Sequence, residues 1–404
     1  MGMDSKKVDL IHGSWLYAPN GASSVIRTLY LNSEKFKEEG IEMSYYTMDM
    51  VQPRFYSEKK GDIQESNGLK QKIKNVVKGI LGRFSSYGFS IYINLFFLYF
   101  RHSKAIVLHY LKIKENDPER IIFFHDIFTC YYYLKFKKVT DSNNIVLIMH
   151  TDGNIYKMLE YYYPSINNTF VRRILDKIAN EVLDRVERIG FVARNPLDVF
   201  EKKYNRIGKK DFFIYNGIKP YRYIKREDFS TIKLICVASL SERKNQIELL
   251  KALSRLDSDL LKKIHLTLVG GGIIEGSLKE LVMKEGLSSN VTFLGFCNNI
   301  EELLSENNIF ILPSKDEGFP ISILEAMSNG MPVLASRIAG IPEMVSDGVN
   351  GLLFEPTADS IKLALGKLEV LDMKVLSEAS YNKFVSCFSE NSMIEKYSIL
   401  FKAI

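Results

Sequence analysis

The chain has 404 residues, of which 46% are hydrophobic and 25% charged, enough to bury the cores of two domains. Its formal net charge of +6 at pH 7 is mild and spread along the sequence, so we expect no nucleic-acid partner, and an anionic substrate or an acidic membrane face explains the charge at least as well. We expect no signal peptide, and no apolar run reaches the roughly 18 to 20 residues of a membrane-spanning helix.

The first elements are predicted to be a strand at residues 8–11, a loop at 13–21 and a helix at about 22–37. This opening lacks the G-x-G-x-x-G pattern of dinucleotide-binding folds, which argues against a nicotinamide-dependent dehydrogenase. Gly21 ends the loop. A glycine there either allows a ligand close to the backbone or only completes a turn, and both interpretations stay open.

Residues 52–104 combine a basic segment with an aromatic run at 87–100 that is too short to span a membrane. A basic segment beside exposed aromatic side chains is suited to anionic lipid. Alternatively, residues 91–100 form a buried core helix and the basic side chains are solvated neighbours. These basic residues are Lys59, Lys60, Lys70, Lys72, Lys74, Lys78 and Arg83.

Two further predicted strands, at 121–124 and 145–149, end in His125 and His150. Open parallel sheets bind ligands at the carboxyl ends of their strands. Both histidines are therefore candidate site residues, although each also fits an ordinary loop histidine. The next predicted elements are a helix at 167–185, a strand at 188–192, a helix from 194 to about 204 and a strand at 212–215. We expect a hinge at 216–231.

The second half restarts the pattern with a strand at 232–238, a loop at 239–245 and a helix at 246–256. Arg243 and Lys244 precede this helix, where its dipole disfavours cations unless an anion such as a diphosphate is bound. Strands at 264–269 and 291–294 lead into a glycine triplet and into Phe296. Asp257 and Asp259 form a D-x-D pattern by letter only, and we expect no metal site there.

Residues 309–336 read as strand, loop, helix, turn and strand, with Glu317 before the helix and Glu325 about one turn inside it. Pro320 is placed near the predicted helix start. The first amides of a helix can hold a phosphate, and carboxylates beside them can accept hydrogen bonds from sugar hydroxyls. Spacing alone does not distinguish this site from two solvated surface charges.

The same stretch resembles the E-x7-E signature of glycosyltransferase family 4, a family of retaining enzymes. The resemblance covers Glu317 to Pro320 and Leu324 to Met327, and it continues through motifs similar to G-x-P-V, G-x-P-E and D-G-x-N-G. These later motifs contain Gly330, Pro332, Val333, Gly340, Pro342, Glu343, Asp347, Gly348, Asn350 and Gly351.

The resemblance implies an α/β fold of the GT-B type, with two Rossmann-like domains and a cleft between them. We expect an acceptor-side domain at 1–218, a donor-binding domain at 219–385 and a C-terminal helix at 386–404 that crosses back to the first domain. Asn216, Gly217 and Ile218 resemble the N-G-I motif at the domain junction.

Roles for individual residues also follow from the resemblance. Glu317 is expected to contact the donor sugar and Glu325 the ribose, while Lys244 and Arg243 neutralise the leaving diphosphate. Ser239 stands where the family usually has an arginine, so Arg243 must supply the second charge or the grip on the diphosphate is weaker. The expected catalytic residues are Glu317, His150 and Lys244, and the expected donor-binding residues are Arg243, Lys244, Glu317, Gly318, Phe319, Ile321, Glu325, Gly21 and Phe296.

We therefore expect a retaining enzyme that transfers a sugar from a nucleotide-sugar donor, specifically a UDP-sugar, to a saccharide acceptor in cell-surface glycan assembly. We expect the reaction to require no cofactor and no metal. The acceptor is lipid-linked, a soluble glycan or a protein. The alternatives are a catalytically silent subunit that supports a partner glycosyltransferase, a nucleotide-sugar epimerase, and a phosphorylase, for which we identify no lysine placed for pyridoxal phosphate.

The four cysteines, Cys130, Cys236, Cys297 and Cys387, are far apart and lack metal-ligand spacing. They are expected to be buried free thiols, which fits a reducing cytoplasm. Together with the basic aromatic segment, this predicts a protein in the cytoplasm, at the inner face of the cell membrane if that segment contacts lipid.

Overall fold

The structure is a computed structural model that describes residues 5–18, 20–53, 88–115 and 117–404. It divides into two compact units. Unit 1 comprises the described parts of Met1–Val192 together with Leu197–Ile214 and Ile394–Ile404, and unit 2 comprises Ala193–Pro196 and Tyr215–Met393. Residues 54–87, which include the whole basic segment predicted from the sequence, lie outside the described residues.

The described part of unit 1 is built on a parallel sheet with the strand order β2-β1-β3-β4-β5-β6. Two of its inner strands, at 121–124 and 145–149, are short and apolar throughout, as expected of a parallel sheet that is covered by helices on both faces. The strands are β1 (Lys6–Ile11), β2 (Ile41–Tyr46), β3 (Ile121–Phe124), β4 (Ile145–Met149), β5 (Arg188–Phe191) and β6 (Phe212–Phe213).

Helices cover this sheet, and a π-helical segment at Phe96–Phe100 joins two of them into one long rod. The described α-helices in this part of the chain are α1 (Gly21–Leu31), α2 (Ser33–Glu38), α3 (Gly88–Leu95), α4 (Arg101–Ile113), α5 (Ile127–Phe136), α6 (Lys157–Tyr162), α7 (Phe170–Arg185) and α8 (Arg194–Lys203). The C-terminal residues also belong to unit 1, where Tyr397 and Phe401 pack on Phe123.

Unit 2 contains a second parallel sheet with the order β12-β11-β10-β7-β8-β9. Counted from its own first strand, this is the 3-2-1-4-5-6 order of the Rossmann fold. The strands are β7 (Ile232–Val237), β8 (Ile264–Val269), β9 (Val291–Gly295), β10 (Ile309–Leu312), β11 (Val333–Ser336) and β12 (Gly351–Phe354).

The α-helices that follow in the chain are α9 (Gln246–Ser254), α10 (Ser258–Lys263), α11 (Glu275–Lys284), α12 (Ile300–Glu306), α13 (Ile321–Ser328), α14 (Ile341–Met344), α15 (Ala358–Gly366), α16 (Met373–Cys387) and α17 (Glu390–Lys402). Across the described residues, no helix is both long enough and apolar enough to cross a membrane.

The structure corrects one predicted element and refines another. The helix expected at 22–37 is two helices that meet at Asn32, whose backbone leaves the helical region at φ −106° and ψ 22° and whose side chain bonds back to the Thr28 carbonyl. Residues 91–100 were expected to be either a buried core helix or an exposed aromatic surface, and they have one face of each kind. Ile91 and Leu95 are fully buried, while Phe97 is 54% exposed.

Arg226 fastens the segment that leads into β7 onto the body of unit 2. Its guanidinium is buried and donates to the carbonyl oxygens of Leu304, Asn307 and Asn329, and to the side-chain oxygen of Asn329. Burial lowers the pKa of Arg226 to about 10. These bonds bring strong donors to carbonyl groups at the ends of two helices, where those of Leu304 and Asn329 each accept one further backbone amide.

Replacing Arg226 with alanine should destabilise unit 2 by about 3 kcal/mol or more, because several buried oxygens lose a charged donor and a buried side chain is removed. Calorimetric unfolding measures the change. Arg222→Ala is the matched control, since the side chain of Arg222 is exposed in the same segment. Equal melting profiles for the two variants would contradict this role for Arg226.

Candidate functional site

The strand order of unit 2 creates the candidate site. β7 and β10 are neighbours in the sheet although they are the first and fourth strands of the unit. Their loops, residues 238–245 and 313–320, leave the sheet side by side at the carboxyl edge. A parallel α/β sheet binds ligands at such a switch point. Arg243 and Lys244 therefore meet Glu317, some 70 residues away in sequence.

Glu317 lies at the centre of this edge with 7% of its surface exposed. Its Oε1 accepts hydrogen bonds from Lys244 Nζ and, at 2.7 Å, from Ser314 Oγ. Its Oε2 lies 3.6 Å from a terminal nitrogen of Arg243. One buried carboxylate thus contacts two cations and a hydroxyl, and such a group is stable in the interior only with partners of this kind.

Burial alone would raise the pKa of Glu317, but the charges of Lys244 and Arg243 and the bonds from Lys244 and Ser314 hold it below its ordinary value. Glu317 is therefore ionised at neutral pH. A group with a lowered pKa stabilises the fold above its unfolded pKa, and this contribution is lost as the pH falls through the folded value.

Arg243 is anchored by the backbone while keeping one donor unused. Its guanidinium donates to the carbonyl of Asp316 at 2.7 Å, and its own carbonyl accepts from the Lys315 amide. Its Nε is buried and has no hydrogen-bond partner among the described residues. An unpaired buried donor of this charge is a place where a ligand oxygen or a water would be stabilised.

Asn245 fixes the loop that carries the two cations, a role that the sequence did not reveal. Its backbone is left-handed at φ 61°, a region that asparagine tolerates better than most residues. Its side-chain amide donates to the carbonyls of Pro313 and Pro356, each at 3.0 Å. The β7 loop is thereby tied to the β10 loop that carries Glu317.

Helix α13 begins at Ile321 with Pro320 at its N-cap, and no side chain in the described ranges caps it. The ring of Phe319 is buried and stacks on Tyr215 at 5.2 Å, with Phe388 packed edge-on against both. The Phe319 side chain thus serves packing, so the start of α13 offers a ligand its backbone rather than that ring.

Glu325 lies on α13, where its Oε1 accepts a hydrogen bond from the Tyr221 hydroxyl at 3.1 Å. Tyr221 is a site neighbour that the sequence did not indicate, because it comes from the segment expected to be a hinge. Phe296 follows β9 and is 65% exposed. The structure leaves the Phe296 ring accessible to a planar ligand.

Two of the glycines after β8 are required by the protein itself. A Cβ atom at Gly270 would lie 2.1 Å from the Ala238 carbonyl oxygen, and one at Gly272 would lie 2.0 Å from the Leu240 carbonyl oxygen. The glycines therefore allow the β8 loop to pack against the start of the loop that carries Arg243 and Lys244.

Glu343, in the motif similar to G-x-P-E, has a structural role. Its two carboxylate oxygens accept hydrogen bonds from the amides of Arg194 and Asn195, at the start of α8, and one of them also accepts from the Tyr215 hydroxyl. A carboxylate at the first amides of a helix is favoured by both hydrogen bonding and the helix dipole.

Unit 1 holds the remaining candidates at the carboxyl edge of its own sheet. His125 and His150 follow β3 and β4 and contact each other, with Nδ1 of His125 3.0 Å from Nε2 of His150. His12, which follows β1, was missed by the sequence analysis and lies 3.3 Å from Asp126. Gly21 opens α1 after its N-cap Asn20, and a Cβ there would meet no atom within 4 Å.

Asp126 organises this edge. It accepts hydrogen bonds from the amides of Gly13 and Thr129 and from the Thr129 hydroxyl. Although burial acts to raise it, the contacts with His12 and Thr129 hold the pKa of Asp126 below its ordinary value. His150 is affected in the opposite direction from a buried acid. Its own removal from water lowers its pKa to about 3, with a smaller effect from the charge of His12.

Among the described residues, no group of three or more histidine, cysteine, aspartate or glutamate side chains could hold a metal ion. Asp259 of the D-x-D pattern instead pairs with Lys262 at 3.1 Å. The four cysteines are free, as expected, although only Cys130 and Cys236 are buried.

The arrangement in unit 2 can bind an anion and a polyhydroxylated ligand together. The cations and the uncapped start of α13 favour phosphate oxygens. The carboxylates of Glu317 and Glu325 can accept hydrogen bonds from hydroxyl groups.

Comparison with known proteins agrees with this geometry. Residues 221–383 match the family model described as glycosyl transferases group 1. EpsD of Bacillus subtilis (strain 168), named as a glycosyltransferase, is 33% identical over 122 residues, which are 30% of this chain and 32% of that protein.

A second relative is the Escherichia coli UDP-Gal:alpha-D-GlcNAc-diphosphoundecaprenol alpha-1,3-galactosyltransferase, 32% identical over 151 residues, 36% of this chain and 38% of that protein. Each of these two matches thus spans only about a third of the relative's length. The crystal structure of Anabaena HepE in complex with UDP superposes with a TM-score of 0.63 at 15% identity, covering 99% of this chain and 100% of that one. Residues 221–383 therefore match the group 1 glycosyl transferase model, and the chain has the GT-B fold of two Rossmann-like domains.

Proposed function

We propose that this protein is a retaining glycosyltransferase that moves a sugar from a nucleotide-sugar to a saccharide acceptor in polysaccharide assembly. The observation that carries the proposal is the buried Glu317 carboxylate held against Lys244 and Arg243 at the switch point of unit 2. The match of residues 221–383 to the group 1 model and the similarity to named glycosyltransferases support it.

The proposed donor is a UDP-sugar. A diphosphate would lie at the start of α13, where Arg243 and Lys244 can bind its oxygens. Glu325 would accept a hydrogen bond from the ribose, and Phe296 would pack on the base. The UDP bound in the HepE crystal structure and the UDP-Gal in the name of the Escherichia coli relative support uridine as the nucleoside.

Donor binding would exchange partners within the site. In the free protein, Lys244 and Arg243 neutralise Glu317. When the diphosphate enters, the two cations share their charge with it, and Glu317 can accept hydrogen bonds from the sugar. Glu317 thus orients the sugar, and we assign it no role as a nucleophile.

The two cations also supply the chemistry. As the bond between sugar and diphosphate breaks, negative charge grows on the leaving group, and fixed positive charge in a desolvated site can lower that barrier by several kcal/mol. Because Arg243 and Lys244 provide this charge, we propose that transfer requires no divalent metal and no cofactor. We also propose that His150 donates a hydrogen bond to a hydroxyl group of a substrate sugar.

We further propose a lipid-linked acceptor at the inner face of the cell membrane. The named substrate of the Escherichia coli relative, a diphosphoundecaprenol-linked sugar, supports such an acceptor. So do the exposed Phe89, Phe96, Phe97 and Leu98 of unit 1, which follow in sequence the basic residues between 59 and 83. Exposed apolar side chains and a basic segment earlier in the sequence are the two components that binding to anionic lipid requires.

Lys244→Ala should lower kcat for sugar transfer about 100-fold or more, because a fixed charge opposite the leaving diphosphate is removed. Steady-state kinetics with a UDP-sugar test this, and a chelator should leave the wild-type rate unchanged. Lys315→Ala is the matched control, since Lys315 is an exposed lysine of the neighbouring loop. Similar rates for the two variants would remove Lys244 from the mechanism.

UDP should raise the melting temperature of the wild type more than GDP or ADP does. At a hundredfold excess over Kd, bound UDP should add about 2.7 kcal/mol to the free energy of unfolding. Glu325→Ala should lose this shift because the ribose loses its acceptor, whereas the exposed Glu285→Ala variant of unit 2 should retain it. A thermal-shift titration decides. If no nucleotide shifts the wild type, the donor site is wrongly assigned.

The protein should sediment with vesicles of phosphatidylglycerol and less with vesicles of phosphatidylcholine. A variant with both Phe97→Ser and Leu98→Ser should bind about tenfold more weakly, since apolar surface no longer enters the lipid. Leu363→Ser is the control, because Leu363 is 70% exposed on unit 2. Binding unaffected by the double change, or equal for both lipids, would contradict membrane contact through this face.

A further inference from the structure

The two neighbouring histidines of unit 1 form a pair whose partners are unequal. Nδ1 of His125 lies 3.0 Å from Nε2 of His150, and the rings are inclined by only 25°. His125 is 3% exposed and packs against Phe123, whereas His150 is half-buried. The bond therefore joins an inner histidine to an outer one that can reach a ligand.

Both rings are neutral at pH 7, because burial and the neighbouring histidines lower the pKa of each. A neutral imidazole has one N–H donor and one bare nitrogen acceptor. The short contact therefore has two possible directions, and each fixes the tautomers of both rings.

The environment of His125 distinguishes these directions. Its second nitrogen, Nε2, is buried and has no hydrogen-bond partner within the described ranges. If His150 donated to His125, the proton of His125 would reside on Nε2 as a buried donor without an acceptor, which folded proteins rarely tolerate. If His125 donates, Nε2 is only an unused acceptor.

We propose that His125 is a positioning residue that donates its Nδ1 proton to Nε2 of His150, so that His150 carries its own proton on Nδ1 and offers that N–H to a sugar hydroxyl. This assignment rests on the proposed function only in the last step, the contact with sugar. It deepens that function by naming which atom of His150 acts and what orients it.

The tautomers can be measured without any activity. The protein has six histidines, few enough for two-dimensional NMR of ¹⁵N-labelled imidazoles at pH 7, with His150→Gln identifying the His150 signals. We expect the Nδ1 of His150 to have the chemical shift of a protonated nitrogen and Nε2 that of a bare one. The opposite pattern, or a charged ring, overturns the proposal.

Two amide substitutions separate positioning from packing. In His125→Asn the side-chain NH₂ can take the place of Nδ1 and still donate to His150, whereas in His125→Gln the amide lies near the position of Nε2 and cannot. We expect near wild-type kcat for the asparagine variant and a loss of about tenfold for the glutamine variant, as for other residues that orient a functional histidine.

The melting temperature and the KM for the donor should be similar for both variants. Equal kcat values for the asparagine and glutamine variants, with both folded, would show that the bond does not position His150. If the wild type transfers no sugar at all, the proposed function fails, and the NMR pattern alone then decides whether His125 donates to His150.

Discussion

A carboxylate and two cations share one desolvated space in unit 2, and several neighbouring features keep them there. An ionised Glu317 buried alone would be costly, since a charge in the interior needs a partner and hydrogen bonds. Lys244, Arg243 and Ser314 supply these. The cations in turn depend on a loop held by the left-handed Asn245 and on the close approach of two glycines of the β8 loop.

The strand order of each sheet makes these encounters possible. In unit 2, β7 and β10 are adjacent, and their loops carry the two signs of charge. In unit 1, β1, β3 and β4 are successive neighbours, and each is followed directly by a histidine. Both groups form because parallel strands present their carboxyl ends at one edge, where side chains distant in sequence converge.

The strands whose bounds were predicted correctly from the sequence include two whose residues are apolar throughout. β3 and β4 have the expected bounds, since a strand buried on both faces is a continuous apolar run. The break at Asn32 was not predicted, because both sides of it have helical periodicity. β2, with its half-buried residues, had no prediction at all.

For the site, Glu317, Lys244 and Arg243 came from motifs, but their mutual contact depends on strand order. Tyr221 and Asn245 could not be found from local patterns, because each acts on a residue 68 or more positions away. His12 could have been found. It directly follows a predicted strand, as His125 and His150 do, so the same pattern indicates it.

The π-helical segment at Phe96–Phe100 has a consequence for how this chain can vary in length. The buried positions along the rod include Ile91, Leu95, Phe100 and Ser103, so one step is five residues long between steps of four and three. An α-helix would rotate the following residues off the core, whereas a π turn absorbs the extra residue. Removing one residue between Leu95 and Phe100 would leave a step of four and permit an uninterrupted α-helix with the same buried face. The π-helical segment is therefore equivalent to a single-residue insertion that the core accommodates. The added residue lies on the outer, apolar surface of the rod.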